Sequence, residues 1–182
     1  KETRENRTIK IYSADFDIYE EAEEIKQLEY NGNIDLAKAA IRQMDIEGGL
    51  EFITRSNAPA GSGLGTSASM GVALIGALSA FKGLPLLPYE FAEQASLIER
   101  KELGILGGKQ DHYASALGGI SFMEFSGEEV KVSKLQLSKE VMLELEKSLV
   151  LCYTGKSRLS GDIHQKVREA YQNKEPKNQQ AL

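Results

Sequence analysis

The chain has 182 residues, of which 41% are hydrophobic and 27% are charged, and its net charge is −5. These values predict a globular domain with a real core, and the acidic pI of about 5.2 leaves no basic footprint for nucleic acid. No apolar run reaches the roughly 18 residues of a membrane helix, and the charged residues at the amino terminus of this sequence do not have the pattern expected of a signal peptide. We therefore expect a cytoplasmic protein without a nucleic-acid or membrane partner. A single cysteine excludes an internal disulfide, and we expect Cys152 to be a buried small side chain.

The first third of the sequence predicts a sheet with one helix packed on it. Residues 8–12 and 50–55 are rich in residues that favour strands. Residues 34–46 between them carry apolar side chains on one face, with Asn33 as a candidate cap, which predicts an amphipathic helix. The acidic run at residues 20–24 is interpreted as a solvated face.

A glycine-rich turn follows the second strand and leads into an apolar helix predicted over residues 67–81. Glycines at alternate positions let the backbone take positive φ and approach a ligand closely. The helix start directs free N–H groups and the positive end of the helix dipole at the turn, which predicts a phosphate site. A tight loop before a buried helix is the structural alternative. The residues that would form the phosphate site are Pro59, Gly61, Ser62, Gly63, Leu64, Gly65, Thr66, Ser67, Ala68 and Ser69.

Other glycine-rich motifs do not fit this turn. A nucleotide-binding P-loop needs a lysine after its last glycine, whereas Gly65 is followed by Thr66 and Ser67. The dinucleotide fingerprint needs G-x-G-x-x-G, and the glycines here are spaced G-x-G-x-G. A nucleophile elbow needs Gly-x-Ser-x-Gly, which neither Ser62 nor Ser67 satisfies.

Two carboxylates in the middle of the chain are candidate functional groups. Pro88 as a start and Gly104 as a stop predict a helix over residues 88–103, with Glu99 on a face of small residues. The helix dipole disfavours a carboxylate near the last turn, so we expect a positive partner such as a magnesium ion; a surface glutamate is the alternative. Asp111 opens a short helix, where a plain N-cap is the alternative to a functional role.

The rest of the sequence predicts a hairpin and two helices. Residues 120–125 and 130–137 flank a turn at Gly127 and predict two antiparallel strands. A polar helix is predicted over residues 138–147, and a further helix with one apolar face near residues 161–173.

Two motifs in order along the chain resemble those of the GHMP kinases, the family of galactokinase, homoserine kinase and mevalonate kinase. Residues 59–69, with the pattern Pro-x-x-x-Gly-Leu-Gly-Thr-Ser-Ala-Ser, resemble the second motif of that family. Residues 99–113 resemble its glutamate, glycine-rich stretch and aspartate. The resemblance implies an α+β fold, a two-layer α/β sandwich of the GHMP kinase N-terminal type over residues 1–147. Residues 148–182 would begin a ferredoxin-like C-terminal domain.

The same resemblance implies phosphoryl transfer from ATP, with Mg²⁺ as cofactor. It makes Asp111 the catalytic carboxylate beside the substrate hydroxyl, acting as a general base or as an orienting group. Ser67 and Glu99 match the magnesium ligands of the family. Arg158 is a candidate contact for a substrate phosphate, with an ordinary surface arginine as the alternative. Lys109 is a candidate for neutralising charge in the transition state, with an exposed lysine as the alternative.

Three further side chains lie within these motifs. Thr66 and Ser69 are candidates for hydrogen bonds to phosphate oxygens. His112 stands where glutamine or asparagine is common in the family. We interpret His112 as a packing residue rather than a substrate contact.

Three segments narrow the resemblance to a sugar-kinase branch. Residues 11–17, 107–119 and 153–160 are similar to the branch that phosphorylates the anomeric hydroxyl of D-glycero-D-manno-heptose 7-phosphate. L-Fucose kinase carries a close version of the first and last of these segments, so L-fucose is the alternative acceptor. The expected partner is thus a small sugar or sugar phosphate, and a homodimer is the candidate assembly. A binding module without catalysis is the alternative to an enzyme.

The first and third motifs of the family have no counterpart in this sequence. We therefore expect the chain to be a piece of a longer protein and to show negligible turnover by itself.

Overall fold

The computed structural model describes residues 7–32, 34–153, 155 and 169–170. A 3₁₀ turn at Ile25–Gln27 precedes the first α-helix, and a π-helix at Ile98–Glu102 continues the third. Asn33, Arg158 and most of the helix predicted over residues 161–173 lie outside the described residues, although residues 169–170 of that helix are described and are helical. The strands and α-helices are β1 Ile9–Ser13, β2 Ile18–Ala22, α1 Asp35–Gln43, β3 Leu50–Thr54, α2 Thr66–Lys82, α3 Pro88–Leu97, α4 Gln110–Leu117, β4 Ser121–Ser126, β5 Glu129–Lys134 and α5 Lys139–Ser148.

The first sheet has the strand order β2-β1-β3, with β1 antiparallel to β2 and parallel to β3. Alternate side chains of β1, including Ile9 and Ile11, are buried because this strand lies in the middle of the sheet. Helix α1 lies in the connection between the parallel strands β1 and β3. The strands predicted at residues 8–12 and 50–55 are confirmed to within one residue at each end.

Strand β2 was not predicted, because its sequence was interpreted only as an acidic solvated run. The strand alternates partly buried and exposed side chains and buries Ala22 at its end. An edge strand of this kind has one solvent-exposed face, on which glutamates can be accommodated.

One hydrophobic core joins the sheet to the helices. It includes Ile9 and Ile11 of β1, Ile41 of α1, Ile75 of α2 and Ile98 of the π-helix, all fully buried. Burying an isoleucine side chain contributes about 1.5–3 kcal/mol, so this cluster holds the helical layer on the sheet. Helix α2 is central in that layer, because it contacts α1, α3 and α4.

Helices α2 and α3 approach each other closely at one glycine. A Cβ atom on Gly71 would lie 3.4 Å from the Cβ of Ala95, so any larger side chain would separate the two helices. At Gly76, further along α2, an added Cβ would meet nothing within 4 Å, so the close approach is limited to the Gly71 end of the helix.

Two predicted helices differ from the observed ones. The helix predicted over residues 88–103 leaves the α form after Leu97 and ends as a π-helix, in which the Leu103 N–H donates to the Ile98 carbonyl at 3.0 Å. The helix predicted over residues 34–46 ends earlier, because Asp45 takes a positive φ of 49° that no α-helix tolerates.

The carboxyl-terminal elements are more exposed than the rest. Strands β4 and β5 form a separate antiparallel hairpin, as predicted, although β5 ends at Lys134. Helix α5 is capped by Ser138, whose hydroxyl accepts the N–H of Val141 at 3.4 Å, and none of its side chains is buried. The prediction of a buried Cys152 is wrong, because its thiol is exposed on a segment without regular structure. Across the described residues, no helix combines the length and the apolarity needed to span a membrane.

Candidate active site

The glycine-rich turn has the backbone conformation expected of a phosphate loop. Gly61, Gly63 and Gly65 take φ values of 69°, 77° and 68°, which L side chains rarely adopt. Gly65 is the N-cap of α2, so the first N–H groups of that helix have no partner within the helix and face the turn. The predicted helix start at Ser67 is one residue late.

Asp111 lies against this loop. A Cβ atom on Gly65 would come within 3.0 Å of Asp111 Cγ and within 3.2 Å of its Oδ2, so the carboxylate occupies the space that the missing side chain leaves. Asp111 is the second residue of α4, whose N-cap is Lys109. The plain N-cap alternative for Asp111 is therefore wrong, and the carboxylate lies in the first turn, where the helix dipole favours a negative charge.

Ser67 and Glu99 meet at the start of α2. The Ser67 hydroxyl donates to Glu99 Oε1 at 2.5 Å, although the two residues are 32 positions apart in the sequence. Two oxygen donors that adjoin each other and a phosphate loop form the kind of hard ligand pair that magnesium takes. The predicted pair of ligands is thus brought together.

The second oxygen of the Glu99 carboxylate faces His112. His112 Nε2 lies 2.8 Å from Glu99 Oε2, close enough for a charge-assisted hydrogen bond, although the ring N–H is not aligned on the oxygen. The ring is only 2% exposed, and its Nδ1 has no hydrogen-bond partner among the described residues. We call Ser67, Glu99 and His112 the Glu99 cluster. The prediction that His112 packs inside the protein is supported, but sequence reasoning missed its contact with Glu99.

Opposing effects set the acidity of Glu99. Burial of its carboxyl raises the pKa, and the contacts from His112 and Ser67 lower it by more, so the net pKa lies below its usual value. Glu99 is therefore an anion at neutral pH.

The π-helix directs two glutamates to two different parts of the site. A π turn inserts an extra residue and is frequent at functional sites. Here Glu99, its second residue, contacts Ser67, while Glu102, its last residue, accepts a hydrogen bond from the Tyr30 hydroxyl at 2.7 Å. Regular helical periodicity in the sequence could not indicate this turn.

A cavity of about 570 Å³ opens beside the phosphate loop and is lined mainly by apolar side chains. Sequence reasoning missed two aromatic residues of its wall, Phe16 and Tyr30. The Phe16 side chain is 59% exposed, in the turn between β1 and β2, and an exposed aromatic in a tight turn was the available signal. Asp15 in the same turn accepts the N–H of Ser56 at 2.9 Å and 3.0 Å, which ties the turn to the loop that follows β3.

The residues of the loop fit a phosphate group. Ser62 Oγ is buried and has no hydrogen-bond partner among the described residues, so it is an unused polar atom in the loop. Leu64 is exposed at the tip and Ala68 is buried in the first turn of α2. The Pro59 carbonyl accepts the Ser62 N–H at 3.2 Å and closes the turn.

One predicted phosphate contact is already engaged. The Ser69 hydroxyl donates to the Thr66 carbonyl at 3.1 Å, so its single donor stabilises the helix. Within the described part of the chain, no three His, Cys, Asp or Glu side chains form a metal-binding group, so a cation at Ser67 and Glu99 would keep waters or phosphate oxygens as its other ligands.

Lys109 is not an exposed lysine, and its contacts leave no donor to neutralise charge in the transition state. Lys109 is only 7% exposed, and its ammonium group contacts Glu93 at 3.2 Å, Glu128 Oε2 at 3.1 Å and the Glu128 carbonyl at 2.9 Å. Tyr113 donates a hydrogen bond to the same Glu93. Lys109 is therefore a buried link between α3, α4 and the β4–β5 turn, and its three donors are used.

Comparison with known proteins gives a consistent result. Residues 33–119 match the family model described as the GHMP kinases N terminal domain. The chain is 38% identical over 168 residues to a D-glycero-alpha-D-manno-heptose 7-phosphate kinase of Campylobacter jejuni, covering 89% of this chain and 50% of that protein. It is 31% identical over 126 residues to a bifunctional fucokinase/GDP-fucose pyrophosphorylase of Arabidopsis thaliana, covering 68% of this chain and 12% of that protein.

A solved structure has the same fold. The D-glycero-D-manno-heptose 1-phosphate kinase of Bacteroides thetaiotaomicron superposes with a TM-score of 0.75 at 39% identity, covering 81% of this chain and 50% of the other. The chain thus spans about half the length of these two heptose phosphate kinases.

Proposed function

Because the chain carries the N-terminal domain of the GHMP kinases, we propose that this protein transfers the γ-phosphate of ATP to a sugar hydroxyl. The proposed acceptor is the anomeric hydroxyl of D-glycero-D-manno-heptose 7-phosphate. The names of the heptose phosphate kinases at 38% and 39% identity support this acceptor class.

The observation that carries the proposal is the contact between Asp111 and the phosphate loop. The Asp111 carboxylate fills the space above Gly65, so a hydroxyl beside it would lie next to a phosphate held by the loop. In phosphoryl transfer the protein mainly positions groups and neutralises charge. Asp111 would orient the sugar hydroxyl and accept its proton at a carboxylate oxygen as the new O–P bond forms and the bond between the γ-phosphorus and the bridging oxygen breaks, releasing ADP.

The loop and the Glu99 cluster would hold the phosphates and the cation. Backbone N–H groups of residues 61–67 and the unused Ser62 hydroxyl would donate to phosphate oxygens. Ser67 Oγ and Glu99 Oε1 would be the protein ligands of Mg²⁺. When bound, Mg²⁺ offsets negative charge on the phosphates and keeps them in one orientation.

The apolar cavity beside the loop would take the nucleoside of ATP. It shares Gly61, Thr66 and Ser67 with the loop, so a ligand could extend from the cavity onto the phosphate site. A cavity of about 570 Å³ with aromatic walls suits a purine and its ribose. The turn that carries Phe16 is held in place by the Asp15 contact with Ser56.

L-Fucose is the second candidate acceptor, since the bifunctional fucokinase is 31% identical over 68% of this chain. Arg158 stays a prediction as the contact for a substrate phosphate, and a heptose phosphate would need such a contact whereas L-fucose would not. A cytoplasmic location, a homodimer and domain bounds at residues 1–147 and 148–182 also stay predictions from the sequence.

The test is sugar-dependent ADP release by the longest natural polypeptide that contains this chain. D-Glycero-D-manno-heptose 7-phosphate and L-fucose are offered side by side, with Asp111→Asn as the catalytic variant and Glu124→Gln on exposed strand β4 as its control. We expect heptose-dependent turnover that Asp111→Asn lowers by about 10²–10⁴-fold. Glu124→Gln should match the wild type, because that carboxylate pairs only with exposed Lys131 in the described structure.

Preference for L-fucose would keep the mechanism and change the acceptor. Binding of MgATP without turnover of either sugar would favour a binding module. Full activity in Asp111→Asn would refute the role given to this carboxylate.

A further inference from the structure

Each oxygen of the Glu99 carboxylate is approached by a different element. The Ser67 hydroxyl from α2 donates to Oε1 at 2.5 Å, and the His112 ring from α4 approaches Oε2 at 2.8 Å. Among the described residues, no other side chain makes a hydrogen bond or ion pair with this carboxylate. Within the described ranges, His112 is therefore the one side chain that contacts Oε2 of Glu99.

The position of Glu99 makes such a contact necessary. Glu99 lies in the π-helix that ends the α3 segment, where the negative end of the helix dipole disfavours a carboxylate. Its side chain is only 14% exposed, so hydrogen bonds to water offset little of this unfavourable interaction with the helix dipole. Near Glu99, where the sequence led us to expect a positive partner, the structure places the His112 ring.

An ordinary core role does not explain His112. Its ring is buried, yet Nδ1 has no hydrogen-bond partner among the described residues, and Nε2 contacts only Glu99 there. Burying such a polar ring costs free energy that a leucine would avoid. Contacts of this kind are often loosely aligned before the ligands bind and tighten afterwards.

We propose that His112 is a positioning residue, which holds the Glu99 carboxylate toward the phosphate loop and thereby sets the affinity of the site for the divalent cation of the nucleotide complex. The proposal rests on the proposed function, because it takes Glu99 as a cation ligand. His112 follows Asp111 on α4, so the same contact also ties the helix of the catalytic carboxylate to the cation ligand. Partners that hydrogen-bond metal ligands typically affect metal affinity about 10–100-fold.

The experiment uses Mn²⁺ as a spectroscopic probe, with ADP, in the full natural polypeptide. Mn²⁺ affinity is measured by electron paramagnetic resonance, ADP affinity is measured without metal, and the melting temperature is recorded for each variant. His112→Gln places an amide where Nε2 stands, whereas His112→Asn places one where Nδ1 stands, so the two variants differ chiefly in reach toward Glu99. Ser79→Ala is the control for a purely structural loss, since buried Ser79 donates only to the Gly76 carbonyl within α2.

We expect His112→Gln to bind Mn²⁺·ADP within about threefold of the wild type and His112→Asn to bind it about 10–100-fold more weakly. Metal-free ADP binding should change little in either variant. His112→Leu should bind Mn²⁺·ADP as weakly as His112→Asn. If His112→Leu does not fold, the Mn²⁺ affinities of His112→Gln and His112→Asn still test the positioning role. Ser79→Ala should lower the melting temperature without changing Mn²⁺ affinity.

Equal Mn²⁺ affinity in His112→Asn and His112→Gln overturns the proposal, as does a wild type that binds no Mn²⁺·ADP. If the wild type binds Mn²⁺·ADP but phosphorylates no sugar, the proposed function fails. A difference between Gln and Asn then still supports the positioning role of His112.

Discussion

Two charged groups in this fold, Lys38 and Glu99, are largely shielded from solvent, and their polar surroundings are satisfied to different degrees. Lys38 of α1 is fully buried, and its ammonium contacts the Glu29 carbonyl, Asn31 Oδ1 and Glu20 Oε1 at 2.9 Å each, with Asp35 Oδ1 at 3.4 Å. We call these five residues the Lys38 cluster. Its three N–H donors all have acceptors.

The Glu99 cluster is incomplete by comparison. His112 Nδ1 lacks a partner among the described residues, and Ser62 Oγ in the adjoining loop lacks one as well. Buried polar atoms without partners are rare and call for an explanation. We infer that the Lys38 cluster stabilises the fold, whereas the Glu99 cluster keeps unused polar capacity because it serves a ligand.

The largest effect should follow from removing the ammonium of the Lys38 cluster. Lys38→Met leaves Glu20 and Asp35 without their buried cation, and we expect a loss of about 3 kcal/mol in the free energy of unfolding. This loss is at the low end of the range expected when one partner of a buried ion pair is removed, because both carboxylates retain some exposure. Urea denaturation measures it.

Lys10→Met is the matched control, because Lys10 of β1 pairs across the sheet with Glu21 of β2, the neighbour of Glu20, and that pair is exposed. Its unfolding curve should overlay the wild type. Similar losses in the two variants would contradict the assignment of a special structural role to Lys38.

A smaller effect should follow from a methyl group at the phosphate loop. Gly65→Ala imposes a side chain at a φ of 68°, which costs about 1–2 kcal/mol, and also drives the new Cβ against Asp111. We expect both a stability loss and the loss of sugar-dependent ADP release. Urea denaturation and the kinase assay on the same preparations separate the two.

Gly83→Ala supplies the control at the other end of α2. Gly83 has a φ of 69°, but an added Cβ there would meet nothing within 4 Å. We expect it to share the conformational cost of Gly65→Ala and to keep its activity. If it lost activity equally, the contact with Asp111 would not be the cause.

The next effect concerns acid pH. The folded state lowers the pKa of Glu99 below its usual 4.5, so the ionised carboxylate adds stability above that pH, and the gain is lost as the pH falls below it. Melting temperatures measured from about pH 5 down to about pH 3 should therefore fall less steeply for Glu99→Gln than for the wild type. Ser67→Ala removes one of the two contacts and should lie between them, and identical slopes would rule out this contribution.

The smallest effect concerns Tyr30, which links the Lys38 cluster to the π-helix that carries Glu99. Its neighbour Asn31 belongs to the Lys38 cluster, and its hydroxyl reaches Glu102 on the π-helix. Burial and the hydrogen bond to Glu102 raise the pKa of Tyr30 to about 12 from its usual 10.0. A raised pKa adds stability below pH 10 that is lost as the pH rises toward 12.

Absorbance at 295 nm during alkaline titration measures the ionisation of the Tyr30 hydroxyl. Tyr30→Phe should remove one late-ionising tyrosine and change stability by less than about 1 kcal/mol. Glu102→Gln should move the same ionisation to lower pH. An unchanged titration in both variants would contradict the described contact.

Local sequence signals were sufficient to predict the elements that interactions between neighbouring residues stabilise. Alternating glycines require positive φ, so the phosphate loop and the helix after it could be predicted within one residue. Glu99 was a local candidate because the helix dipole disfavours a carboxylate near the end of a helix, whereas the choice of Asp111 depended on the resemblance to the GHMP kinases. The β4–β5 hairpin followed from alternation around Gly127.

Only the tertiary structure decided how these residues meet. Strand β2 and the burial of Lys38 depend on pairing with β1 and on acceptors up to 18 residues away, which no local window contains. The contacts of Asp111 with Gly65, and of His112 and Ser67 with Glu99, join helices distant in sequence. The π turn has the residue types of an α-helix, and packing between α2 and α4 sets the direction of Glu99. Local chemistry therefore determined which residues are candidates, and long-range packing determined their partners, because contact energies between distant segments leave no periodic trace in the sequence.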